Sequence, residues 1–284
     1  MDKASYPDGV LERLQDAERS ILAAIDATCR ENGITYFIDS GTCLGAVRHG
    51  GFIPWDDDAD VGMPIEDYRR FLELAPKALP QGFSLHTMRD TKGLPVLWAK
   101  VFLDGTLFYD DLYEQAGCRQ SIFVDVFPYV ALDRDPVRAD ERGKAAVRLQ
   151  QKAWLHSVHT PRVPASMRTP GLFRAGFAIG HYTIGRLYTP QKLMDSFESL
   201  LAVNDAGDRW VDTAYPQFGA FATDVLLPTR EIAFCGLRLM GPHDTDSYLT
   251  TLYGDYRQFP PMSERYTHLP VMLDFGDGVN VMER

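Results

Sequence analysis

The sequence predicts a mixed α+β fold, a mixed sheet flanked by helices and carrying a helical insertion. Three observations predict it. Apolar residues recur at helical spacing near the start of the chain. Short segments with strand character then alternate with turn residues up to about residue 130. After that the pattern is helical over residues 135–203, with a charge balance unlike that of its surroundings.

Taken in order, residues 9–32 form an amphipathic helix in which Val10, Leu11, Leu14, Ile21, Leu22 and Ile25 share a face, with Gly33 as its stop. "ITYFID" (34–39) is a strand, and residues 40–51 form a glycine-rich turn. "DADVGM" gives a second strand, after which Pro64 and "IEDYRRFLELAPKAL" open a helix. Further strands are expected at 83–88, 95–103, 106–110 and 121–130, the Asp104-Gly105 step making a hairpin of the second and third. Within 135–203, "TPRVPASMRTPG" divides the helical stretch into two. "EIAFCGLRLMG" (231–241) reads as a hairpin and "DTDSYLTTLYG" (244–254) as a helix capped by Asp and Gly. This gives a core over 1–133, a basic helical insertion over 134–203, and a part from 204 to 284 that completes the core.

The totals exclude several classes of function. The 284 residues are 45% hydrophobic and 24% charged, so a large core can be filled and disorder is not expected. No run of 18 apolar residues and no signal-peptide pattern occurs. Cys29, Cys43, Cys118 and Cys235 are scattered, which argues against a disulfide framework or a structural zinc site. The reading is a cytoplasmic protein. A net charge of −10 speaks against nucleic acid as a partner. Residues 134–192 run against this average, with eleven Lys/Arg and three acidic residues.

The chemistry concentrates in "PWDDDADVGM" (54–63). On an extended strand alternate residues share a face, so Asp58 and Asp60 project together while Ala59 and Val61 turn inward. Adjacent anions repel unless a cation lies between them, and oxygen ligands suit Mg²⁺ or Mn²⁺. An acidic run is more often solvated loop charge, but this one lies between apolar "GFIPW" and a strand. Upstream, "DSGTCLGAVRHGG" offers Gly41 and Thr42 for backbone approach to phosphate oxygens, with Arg48 as counter-charge. A phosphate cradle beside a carboxylate clamp points to phosphoryl or nucleotidyl transfer.

"YFIDSGTCLGAVRHGGFIPWDDDADVGM" (36–63) resembles the signature of the LicD family, which includes bacterial phosphocholine transferases and is related to the fukutin-type phosphosugar transferases. The likeness continues in "IFVDVFPYVALDRDP" (122–136), "LPTREIAFCGLRLMGP" (227–242) and "YLTTLYGDYRQFPPMSERYTHLP" (248–270). The resemblance implies a nucleotidyltransferase-like core in which Gly41-Thr42 form the turn, Asp58 and Asp60 the paired carboxylates and Asp125 the third. It further implies Mg²⁺ or Mn²⁺, a CDP-linked donor as co-substrate, and a sugar or glycolipid acceptor. Asp125 also stands out by itself, since a carboxylate inside "FVDVF" needs either a metal or a buried ion-pair partner.

The expected metal set is Asp56, Asp58, Asp60 and Asp125, with Asp56 auxiliary and Asp57 a bystander. Asp58, Asp60 and Asp125 are the catalytic residues. Lys100 in "LWAKVFL" either neutralises a donor phosphate or sits at an exposed edge. Arg265 and His268 match the last block of the resemblance without an evident role. The leading function is transfer of a phospho-alcohol group from a CDP-linked donor to a sugar hydroxyl. Alternatives are transfer of a nucleoside monophosphate to a small acceptor and a D-x-D glycosyltransferase built on Asp58-Ala59-Asp60. "GLFRAGFAIGHYTIGRLY" (171–188), apolar and without an acid, is either a core helix or an interfacial one. The second alternative gives peripheral membrane contact through 134–192, at the inner face of the membrane.

Overall fold

The computed structural model describes residues 5–159, 161–162 and 169–283. Its elements in chain order are α1 (Val10–Asn32), β1 (Phe37–Ile38), α2 (Ser40–His49), β2 (Asp60–Pro64), α3 (Ile65–Ala78), β3 (Phe83–His86), β4 (Ala99–Leu103) and β5 (Leu107–Tyr109). Then come α4 (Asp111–Ala116), β6 (Phe123–Asp133), α5 (Pro136–Ser157), α6 (Pro170–Leu187), α7 (Pro190–Leu201), β7 (Ala206–Asp212), β8 (Ala220–Ala222) and α8 (Thr223–Leu226). The chain closes with β9 (Arg230–Phe234), β10 (Leu237–Gly241), α9 (Thr245–Tyr253) and β11 (Met272–Asp274).

The main sheet runs β1-β2-β6-β4-β3, with β7 added on β6 and β8 on β7. Among the described residues only β2 and β6 are parallel and every other pairing is antiparallel, so the mixed α+β sheet is observed. β6 is the spine. Its first half pairs with β4 and its second half with β7, and Val124, Val126 and Val130 are buried along it. β7 therefore joins β6 directly, although α5, α6 and α7 lie between them in sequence.

Local sequence explains most elements. α1 buries Leu14, Ile21, Leu22, Ile25 and Cys29 as one stripe and stops at Gly33, whose φ of 59° is left-handed. α3 buries Ile65, Tyr68, Phe71 and Ala75. The β9–β10 hairpin and α9, capped by the Asp244 side chain, form as their sequences predict.

Two expectations fail. Residues 40–51 are mostly helix, not a glycine turn: Asp39 caps α2 through the Ser40 N–H, and its glycines serve close packing. A Cβ on Gly45 would lie 2.4 Å from the Gly51 carbonyl oxygen. The second failure is the hairpin across Asp104-Gly105. β4 already has β6 on one edge and β3 on the other, so β5 leaves the sheet and pairs with β11. The break expected at 160–171 falls largely outside the described residues, between α5 and α6.

Candidate active site

Three strands place a row of charge across the sheet. Asp60 of β2 is in register with Asp125 of β6, and Asp125 with Lys100 of β4, so the three side chains share one face. All three line a cavity of about 630 Å³ together with Asp56, Asp58 and Gly41. Lys100 is buried at 2% exposure in an interior strand, which removes the exposed-edge reading. Its Nζ lies 2.8 Å from Asp125 Oδ1 and 3.4 Å from the centre of the Phe123 ring. The same Oδ1 accepts from Trp98 Nε1 at 2.6 Å. A carboxylate between apolar neighbours is thereby paired, as burial of charge requires.

The aspartate run enters β2 already extended. Asp57, Ala59 and Val61 are buried while Asp56, Asp58 and Asp60 are partly exposed, and these last three line the cavity. Their carboxyls cannot all ionise in that space. Burial first, then Asp58 and Asp57, raise Asp56 well above the usual carboxylate range. Asp60 is raised likewise by burial and by Asp58 and Asp125. Burial raises Asp58 also, partly offset by His268, and its carboxyl is hydrogen-bonded to that of Asp56. Two carboxyls so placed share a proton or a cation. Behind them, buried Glu18 of α1 is pushed well above its ordinary value by burial and by Asp58, Asp57 and Asp56. The sequence reading missed this fifth carboxyl, whose place on the inner stripe of α1 was its one signal.

Asp57 is no bystander. It points inward as alternation requires, but it is 1% exposed and accepts four hydrogen bonds. The donors are Tyr6 Oη at 2.7 Å, His268 N at 2.9 Å, His268 Nδ1 at 3.1 Å and Leu269 N at 2.9 Å. Burial would raise its pKa, yet the bonds and charge of His268 and the Tyr6 hydroxyl outweigh that and hold it below the usual carboxylate range. His268 moves oppositely. Burial would lower it, but Asp57 and Asp58 raise it to about 9. Among the described residues, Asp57, Asp58 and His268 form the one group of three possible metal ligands whose ligand atoms all lie within 4.8 Å of one another. Four donors already fill the lone-pair sites of Asp57, however, and an imidazolium repels a cation. Asp57 and His268 form a latch that ties the C-terminal segment over the aspartate run.

One expected ligand contact, that of Arg48, is not where the sequence put it. Thr42, expected to offer its backbone, is buried, and its Oγ1 accepts from the Asp60 N–H at 2.8 Å, so its side chain fixes the start of β2. Arg48 is at the far end of α2; its guanidinium donates to the Tyr256 and Gln258 carbonyls and lies 4.8 Å over Phe259. Helix geometry is the reason, because residues seven apart lie two turns, about 10 Å, along the axis. Gly41 does face the site, and a Cβ there would lie 2.9 Å from Asp56 Oδ2.

The cavity also has an aromatic wall that the sequence reading did not identify. Trp98, Phe127, Tyr215 and Phe218 pack with ring centres 5.3 to 5.6 Å apart, and each lines the cavity. Tyr113 Oη, buried and without a hydrogen-bond partner among the described residues, belongs to the same lining. Asp39 sits beneath α2, raised by burial, and accepts from Tyr129 and Tyr248.

Residues 33–160, which contain α2, the aspartate run, Lys100 and Asp125, match the family model described as LicD/FKTN/FKRP, nucleotidyltransferase domain. Over these residues the chain is similar to the LicD family. It is 26% identical over 256 residues to lipopolysaccharide cholinephosphotransferase LicD of Haemophilus influenzae, covering 88% of this chain and 92% of the relative. Human ribitol 5-phosphate transferase FKRP is 28% identical over 123 residues, 43% of this chain and 21% of that protein. Mouse ribitol-5-phosphate transferase FKTN is 38% identical over 68 residues, 24% of this chain and 14% of its own. These relatives indicate a phosphotransferase.

Proposed function

We propose that this protein is a divalent-metal-dependent transferase that moves a phospho-alcohol group, such as phosphocholine, from a CDP-linked donor to a sugar hydroxyl of a glycan or glycolipid. The observation that carries the reading is the gathering of Asp56, Asp58, Asp60 and Asp125 around one cavity, where burial and mutual repulsion disfavour the charged forms of Asp56, Asp58 and Asp60. An all-oxygen donor set of this kind fits Mg²⁺ or Mn²⁺. Asp58 and Asp60 would hold the ion, with Asp56 beside them; when bound it withdraws charge from the donor phosphates.

The remaining steps belong to side chains of this chain. Lys100 presents a fixed positive charge beside Asp125, in reach of a phosphate entering the cavity. Asp125 has Oδ1 committed to Trp98 and Lys100, which leaves Oδ2 to take the proton of an acceptor hydroxyl or to complete a metal shell. The wall of Trp98, Tyr215 and Phe218 gives the alcohol moiety a face on which a quaternary ammonium or a nucleobase is attracted. The relatives named for cholinephosphate and ribitol 5-phosphate transfer support both the phospho-alcohol and the glycan side of this reading. The pairing of β6 with β7 supports a nucleotidyltransferase-like body made from 1–133 and 204–284, with 134–203 inserted.

The test is product analysis by mass spectrometry after incubation with CDP-, UDP- and GDP-linked donors and Mg²⁺. From such donors phospho-alcohol transfer releases the nucleoside monophosphate, CMP from a CDP-linked donor; nucleotidyl transfer leaves the phospho-alcohol; and glycosyl transfer releases the nucleoside diphosphate. Release of CMP that disappears in Asp58→Asn supports the proposal; either of the other products overturns it.

A further inference from the structure

α6 is apolar all round, yet only one of its sides is covered. Phe177 packs against Trp154 of α5 with ring centres 5.1 Å apart, and His181 Nδ1 lies 2.7 Å from the Leu155 carbonyl oxygen. The opposite side carries Leu172, Ile179, Tyr182 and Leu187, exposed at 74%, 69%, 58% and 59%. Leu172, Ile179 and Arg186 follow one another at seven-residue spacing, so they form a strip along the outer face. A helix apolar on both sides belongs in an interior or at a lipid surface. Among the described residues no helix is long and apolar enough to cross a membrane, which leaves a surface.

Charge identifies which surface. From Arg142 to Met194 the chain holds nine Lys/Arg and not one Asp or Glu, within a protein of net charge −10. Acidic residues elsewhere neutralise some of these, as Asp133 does Arg142 and Asp111 does Arg162. Arg148, Arg174, Arg186 and Lys192 make no ion pair among the described residues. Arg186 instead lies 4.2 Å over the Tyr182 ring, at the border of the apolar strip. Exposed apolar side chains on a helix that carries Arg174 and Arg186 and no acidic residue complement an anionic bilayer, not an uncharged protein face.

The strip is also placed where docking would matter. The residues that follow α5 are held to α4 by the His159 N–H bond to the Gln115 carbonyl and by the Arg162 ion pair to Asp111 at 2.6 Å. α4 supplies Leu112 and Tyr113 to the catalytic cavity. α6 packs on that end of α5, with His159 and His181 ring centres 5.1 Å apart.

We propose that the outer face of α6 docks this protein on an anionic lipid surface, Leu172, Ile179, Tyr182 and Leu187 entering the interface and Arg174 and Arg186 meeting the headgroups. The inference concerns membrane attachment and stands apart from the chemistry of transfer, because it is read by binding alone. The full chain is sedimented with vesicles of phosphatidylcholine alone and of phosphatidylcholine mixed with phosphatidylglycerol, at low and high salt. Binding is expected only to the anionic vesicles and falls as salt rises. Leu172→Glu/Ile179→Glu should weaken it by at least ~10-fold, and Arg174→Ser/Arg186→Ser should lower it and flatten its salt dependence. Light scattering and circular dichroism confirm that the variants remain folded; should the Glu pair misfold, Leu172→Ser/Ile179→Ser replaces it. No binding to anionic vesicles, equal binding to both vesicle types, or a wild-type dimer that Ile179→Glu dissociates would overturn the proposal, the last by assigning the strip to a second copy.

Discussion

Replacing Asp57 should unfasten the C-terminal segment from the aspartate run. Asp57→Ala removes a buried carboxylate that accepts from Tyr6, twice from His268 and from Leu269. It leaves those donors unpaired, among them a histidine whose pKa the carboxylate has raised to about 9. Breaking a buried ionic pair from one side costs about 3–5 kcal/mol, because the remaining charge loses its partner. For a chain of this size each kcal/mol lowers Tm by roughly 2–3 °C, so a fall of about 6–15 °C is expected. Asp57→Asn keeps the shape and one acceptor oxygen but turns an NH₂ toward a donor, and it should fall between Asp57→Ala and wild type. Scanning calorimetry measures the shift, and amide exchange locates it: residues 266–271 should lose protection first, while β2 and β6 keep theirs. A variant that melts within 2 °C of wild type with unchanged exchange at 266–271 would refute the latch.

Asp58→Asn and Asp60→Asn should each lower kcat by about 100-fold or more without unfolding the chain, and calorimetric titration should show weakened Mn²⁺ binding. Lys100→Met leaves Asp125 buried without its cation and should destabilise the protein by about 3–5 kcal/mol in urea unfolding. Gly45→Ala drives a methyl to 2.4 Å from the Gly51 carbonyl and should cost about 1–3 kcal/mol or more, because backbone must move; a neutral result would contradict the close α2 packing. The α5–α6 contact should weaken in acid. His156 is held below its ordinary pKa by burial and by His181 and His159, so its contribution is full above the unfolded value of about 6.5 and is lost as pH falls below it. Trp154 fluorescence should report that loss, and His156→Gln should remove its pH dependence.

How much could be read in advance followed the range of the interactions involved. α1, α3 and α9 announce themselves through periodicity and caps lying within their own residues. The alternation of Asp56, Asp58 and Asp60 with Asp57 and Ala59 was equally legible, because side-chain period is a property of the extended chain itself. The same local reading mistook residues 40–51 for a turn. Gly41 and Gly45 lower helix propensity, and their reason for being there is the close approach of Asp56 and Gly51, which residue type alone does not show. The β4–β5 hairpin failed for a similar reason: Asp104-Gly105 is a good turn, but the edge of β4 it would use belongs to β6 and β3.

Asp57 shows most clearly why one face of the run was readable and the other was not. Facing outward, Asp56, Asp58 and Asp60 are a crowd of like charges, and their meaning follows from electrostatics alone, since such a crowd needs a cation. Facing inward, Asp57 obeys the same alternation, which predicts only that it points away from the others. What it does there depends on His268 and Leu269, whose backbone and ring donors arrive from the other end of the chain. One consequence separates the two faces experimentally. Adding Mn²⁺ should stabilise wild type and Asp57→Asn to similar degrees, because the outward carboxylates are intact in both, but should stabilise Asp58→Asn much less. Equal stabilisation of all three would mean that the cation is not held by the outward face. Loss of it in both Asp57→Asn and Asp58→Asn would move the metal site to the Asp57, Asp58 and His268 group.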